Sequence, residues 1–126
     1  MARPSELTRA DRAFKFVQKV KTNHDTNVHE KFNSYVKSAP TMILVNGLAQ
    51  ALAFWKEKSV GQSADSKAYS ELLGFLNGTD TQGNQPLLEK VVNSFNSDQY
   101  RTATAKVMAE LKWLKRFASA EFKKKG

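Results

Sequence analysis

P-T-M-I-L-V-N-G-L-A-Q-A-L-A-F-W-K-E-K fills residues 40–58, and the fold turns on how this stretch is read. On a helix of about 3.6 residues per turn its apolar residues form no single stripe. Ile43, Leu44, Gly47, Leu48, Ala51, Leu52, Phe54 and Trp55 cover well over half the circumference, leaving a narrow polar strip of Asn46, Gln50, Ala53 and Glu57. Such a helix belongs inside a protein, because exposed apolar surface costs about 25 cal/mol per Å². It is too short and too interrupted for a bilayer, which needs about 20 apolar residues. Pro40 suits a first helical turn, where its missing N–H costs nothing. The expected architecture is all-α, a compact bundle of about six helices around a buried central helix at residues 40–58.

Upstream, Ser5 can cap a first helix in which Leu7, Ala10, Ala13, Phe14, Val17 and Val20 share one side. The other side carries Arg9, Arg12, Lys15 and Lys19, with Phe16 among them. These cations fit a polyanion surface or plain solubilisation, and Phe16 fits a base stack, a protein partner or the rim of a core. T-N-H-D-T-N at 22–27 breaks the helix, and Thr26 or Asn27 can cap a second one that carries Val28, Phe32, Tyr35 and Val36 and stops before Pro40.

Downstream, S-V-G-Q-S-A-D-S at 59–66 reads as a loop. A fourth helix turns Ala68, Leu72, Leu73, Phe75 and Leu76 inward and ends at Asn77-Gly78. After a second loop at 79–85, Pro86 opens a fifth helix with Leu87, Leu88, Val91, Val92 and Phe95. Ser97 caps a last helix reaching about residue 123. Its core stripe is Tyr100, Ala103, Thr104, Val107, Met108, Leu111, Leu114, Ala118 and Phe122. Arg101, Lys112, Arg116 and Lys123 line another face, with Lys115 at its edge and Ala105 and Ser119 between. Trp113 and Phe117 lie on a third side, so the helix is packed twice; helices from residues 59–97 are the expected cover, a partner chain the alternative.

The 126 residues suit one domain, expected to be 1–126. Net charge is +8 and uneven: ten basic against five acidic residues in 1–58, two against four in 59–97, eight against three in 98–126. Two basic ends around a mildly acidic middle suggest a polyanion-binding face. There is no Cys, hence no disulfide and no thiolate metal site. The N-terminus lacks an apolar signal region, so a cytoplasmic protein is expected, with no membrane contact. No nucleophile elbow, phosphate loop or H-E-x-x-H is present. His24 and His29, the only histidines, have no third ligand and read as surface residues; as an acid–base pair they would give a metal-independent ribonuclease. The expectation is binding without catalysis, metal or cofactor.

Two stretches carry a resemblance. S-Y-V-K-S-A-P-T-M-I-L-V-N-G-L-A-Q-A-L-A-F-W-K-E-K at 34–58 and Y-R-T-A-T-A-K-V-M-A-E-L-K-W-L-K-R-F-A-S-A-E at 100–121 resemble the small subunit of the type III-B CRISPR RNA-silencing (Cmr) complex. The family pattern P-x-M-I-x-x-N-G-L-x-x-x-L-A-F, followed by Y-R-x-A-T and W-L-K-R-F-A, is matched in order. The loops match nothing in particular. The resemblance implies a non-catalytic, all-helical subunit that stacks with further copies of itself beside the backbone subunits and steadies the target strand in the guide–target RNA channel. It points to Arg101, Lys115 and Arg116, and to Lys37 and Lys56 of the first motif, for RNA or subunit contact. Lys112, Arg9, Arg12, Lys15 and Lys19 rest on the helix-face reading alone. The alternative is a purely structural scaffold whose basic faces meet acidic protein surfaces. Asn46 and Gly47 read as a helix contact, Gly47 by admitting a neighbour closely.

Overall fold

A computed structural model describes residues 5–79 and 85–122, and within them places six α-helices and no strand. α1 (Ser5–Asn23) buries Ala13, Val17 and Val20 along one side. α2 (Thr26–Asn46) is capped not by Thr26 or Asn27 but by Asp25, whose carboxylate accepts the Val28 N–H at 3.1 Å. The expected loop at 59–66 is shorter than its sequence suggests. Ser63 accepts the Ser66 N–H at 3.1 Å and starts α4 (Ala64–Asn77), which ends at Gly78 as read. Asn77 then reaches across the second loop: its Oδ1 accepts the Leu87 N–H at 2.9 Å at the start of α5 (Leu87–Asn93). α6 (Ser97–Phe122) opens with a reciprocal box rather than a Ser97 cap. Asn96 Oδ1 accepts from Gln99 N and Gln99 Oε1 from Asn96 N, at 2.8 and 2.9 Å. Positions 80–84 and the Lys123 end of the cationic row lie outside the described residues.

The central helix is where the structure departs most from expectation. α2 runs through Pro40 and stops at Asn46; α3 (Leu48–Lys58) is a separate helix. An interior proline removes one helical hydrogen bond, to the Val36 carbonyl, and costs about 3 kcal/mol. Burial of Phe32, Val36, Ala39 and Ile43 on both sides of it holds the helix together. The break falls at Gly47, whose φ of +86° and ψ of 158° lie where a Cβ is disfavoured. Gly47 ends α2 by donating to the Ile43 carbonyl at 2.8 Å, and it has no side chain with which to cap α3. Tyr100 of α6 supplies that cap: its hydroxyl accepts the Ala49 N–H at 3.0 Å. A Cβ at Gly47 would lie 3.2 Å from the same oxygen, so the expected close approach is present, at a chain break rather than within a helix. Asn46, read as a helix contact, is exposed. So are Leu44 and Val45, at 75% and 74%.

Three helices set the frame. α1 lies parallel to α6, through Arg12–Glu110 near one end and Lys21–Glu121 at 3.0 Å near the other. α2 is antiparallel to α6: His29 stacks on Phe122 at 4.5 Å, Ser119 donates to Asn33 Oδ1 at 3.4 Å, and Ala49 just beyond α2 meets Tyr100. α4 packs on α2 and α3, and α5 on α3. Trp55, Phe32, Phe75, Leu48, Leu52 and Leu111 are among the large fully buried side chains between them. Trp113 and Phe117 stack at 5.8 Å, and α1 packs on Phe117 through Phe14 at 5.6 Å. The cover of Phe117 thus comes from the same chain, from α1 rather than from the expected residues 59–97.

Candidate nucleic-acid interface

α6 advances about 100° per residue, so positions 101, 105, 108, 112, 115, 116 and 119 share one side. On that side a groove of about 490 Å³ opens between α2 and α6, lined by Pro40, Met108, Lys112, Lys115, Arg116 and Ser119. Lys112, Lys115 and Arg116 are exposed, stand within about 6 Å of one another along the helix axis, and pair with no acidic group among the described residues. Lys37, exposed and equally unpaired, is one turn before Pro40 on α2. Both signature stretches of the sequence meet here: Pro40 belongs to the first and the three cations to the second.

A neighbouring groove of about 650 Å³ continues the same side of α6 towards its start, with Phe95, Tyr100, Arg101, Thr104 and Ala105 on its walls. Arg101 stands about 17 Å from Lys112 along the axis. It pairs with Asp98 at 3.3 Å, both side chains being mostly exposed, and so exposed a pair contributes little.

The cations of α1 are elsewhere. Glu110, Phe117 and Glu121, which α1 touches, lie about half a turn around α6 from the groove. Arg12 is no solvent-face cation. Its guanidinium pairs with the buried Glu110, donates to the Phe75 carbonyl and lies 4.0 Å above the Phe75 ring. Its side chain is 30% exposed and that of Glu110 10%, and burial lowers the Arg12 pKa. Lys15 pairs with Asp11 at 3.1 Å and Lys19 with Glu71 at 3.5 Å. Lys19 also sits over Phe16, which packs edge-on against Phe75 at 5.1 Å: Phe16 is a core-rim residue. Arg9 is half-buried on α1. Lys56 is exposed on α3, whose neighbours are α2, α4 and α5. The ten cations therefore form no common surface; Lys112, Lys115 and Arg116 do, with Lys37 beside them.

The groove's apolar part was not legible as such. Helical spacing puts Met108 in the core stripe and Pro40 at a helix start; their meeting follows from the antiparallel pairing of α2 with α6, which no local pattern encodes. The histidines are half-buried rather than surface groups. His24 Nε2 lies 3.2 Å from Glu71 Oε2, and His29 Nε2 lies 3.1 Å from the Val20 carbonyl. Elsewhere Tyr35 stacks on Tyr69 at 3.9 Å and donates to Asp65. Burial and then that bond push the Tyr35 phenol up, while Tyr35 and Lys31 hold Asp65 below its usual value. No three His, Asp or Glu among the described residues form a group that could hold a metal, and no described helix is long and apolar enough to cross a membrane.

A family model described as CRISPR-associated protein (Cas_Cmr5) matches residues 5–121. The chain belongs to that family, the small subunits of the type III-B Cmr complex.

Proposed function

We propose that this Cmr small subunit binds guide and target RNA through phosphate contacts at Lys112, Lys115 and Arg116, without reading sequence and without catalysis, in the cytoplasm. One observation carries the reading: these three are the clustered cations left exposed and without an acidic neighbour, whereas Arg12, Lys15 and Lys19 are already engaged. A phosphate can meet free cations without breaking an ion pair, and release of its counterions drives binding. Lys37 extends the cluster on α2.

The salt dependence of RNA binding tests this. Each neutralised phosphate on a single strand contributes about −0.7 to the slope of log K against log salt, so three or four contacts give roughly −2 to −3. A slope near zero sinks the reading.

The exposed Leu44 and Val45 support a second role, contact with backbone subunits or further copies of this chain. In the purely structural alternative the same cations meet acidic protein surfaces. The isolated protein then shifts no RNA at low salt, yet co-purifies with a backbone subunit.

A further inference from the structure

The groove between α2 and α6 is more than a row of cations. Its wall is mostly apolar: Pro40 and Met108 line it beside Lys112 and Lys115, whose long aliphatic stems can cover apolar surface while their charges stay in water. A surface built for phosphates alone gains nothing from such a floor, which water covers at a cost. Its volume of about 490 Å³ falls within the roughly 300–1,000 Å³ of small-ligand sites.

Resting on the RNA reading, we infer that this groove holds one unstacked nucleotide of a single strand. The phosphate lies on Lys112, Lys115 and Arg116, and the base lies over Pro40 and Met108. An A-form duplex cannot fill the floor, because its bases are stacked inside and only ribose and phosphate face outward. A splayed nucleotide offers both an anion and a flat apolar face. Met suits the latter, since its polarisable sulfur packs well on aromatic rings. Ser119 donates its hydroxyl hydrogen to Asn33, which leaves its oxygen lone pairs to accept from a ribose 2′-OH. No carboxamide or carboxylate lines the groove, and with its cations on the phosphate and Ser119 on the ribose little is left to read a base edge.

The test compares three labelled probes of equal phosphate number on the full chain: an oligouridylate, an abasic ribose-phosphate oligomer and an RNA duplex. The oligouridylate is expected to bind about fivefold more tightly than the abasic oligomer, the gain from packing one base. The duplex is expected to bind like the abasic probe. Met108→Ala should bring the oligouridylate-to-abasic ratio towards one while leaving abasic binding and its salt slope unchanged. Met108→Leu, which conserves volume, should keep most of the ratio and guards against a mere folding defect. A ratio of one in the unaltered chain, or duplex binding equal to single-strand binding, overturns the nucleotide site and leaves a phosphate surface. Loss of co-purification with a backbone subunit in Met108→Ala, at a ratio of one throughout, assigns the groove to a protein segment and also overturns it. If replacing Lys112, Lys115 and Arg116 with Ala leaves abasic binding untouched, the underlying RNA reading fails as well.

Discussion

The two flanks of α6 use positive charge in opposite ways. On the α1 flank, Arg12 is sunk between Glu110, the Phe75 carbonyl and the Phe75 ring, joining α1, α4 and α6 at one point. On the α2 flank, Lys112, Lys115 and Arg116 stand in solvent with no acidic neighbour among the described residues. A charge removed from water must be matched, and once matched it has nothing left to offer a ligand. A charge left in water contributes little to folding and is free to bind. The contrast therefore predicts that stability and RNA affinity respond to different cations.

The largest expected effect is on the α1 flank. Arg12→Ala strands the Glu110 carboxylate and should cost about 3 kcal/mol in chemical denaturation, leaving RNA affinity of the folded protein unchanged. A loss of affinity without a loss of stability would reverse the contrast. Next, the combined Lys112→Ala, Lys115→Ala and Arg116→Ala variant should lose tenfold or more in RNA affinity at moderate salt, since three phosphate contacts disappear. Its stability should stay within about 0.5 kcal/mol per site, as for most surface substitutions. If it unfolds instead, the α2 flank is structural too. Tyr100→Phe sits between these extremes: it deletes the hydroxyl that caps α3 and should cost about 1 kcal/mol, read as a lowered melting temperature.

The smallest effect is acidic. Asp65 is held below its usual 3.8 by hydrogen bonds from Tyr35 and then Lys31, and Glu121 below its usual 4.5 by Lys21 and then Gln18. A carboxylate whose folded pKa is depressed adds stability that is present above its unfolded pKa and lost as pH falls through the folded one. The melting temperature should therefore be insensitive to these groups above about pH 5 and fall below about pH 4. Asp65→Asn with Glu121→Gln should flatten that limb. Both groups lie at the surface, so the slope is shallow and salt should reduce it.

Period and punctuation made most of the architecture legible. The stripe from Ala103 to Phe122 is buried nearly as the helical spacing requires, and Asn77-Gly78 ends α4 where that dipeptide predicts. The same dipeptide at Asn46-Gly47 also ends a helix, although the apolar residues on both sides of it suggest one continuous element. Proline's preference for a first turn pointed the other way, and packing on both sides of Pro40 overrode it. The candidate site was half legible. Lys112, Lys115 and Arg116 follow from one helix's own geometry. The exclusion of Arg12 does not, because only the tertiary position of Glu110, 98 residues away, shows that the guanidinium is engaged.

That separation in sequence bears on how the protein is made. α1 finds its main partner in α6, the last of the described helices, and the two run parallel from Arg12–Glu110 to Lys21–Glu121. During synthesis α1 emerges with Ala13, Val17 and Val20 lacking a main part of their final cover, which arrives only with α6. A product cut short before α6 therefore exposes an apolar α1 to aggregation or proteolysis.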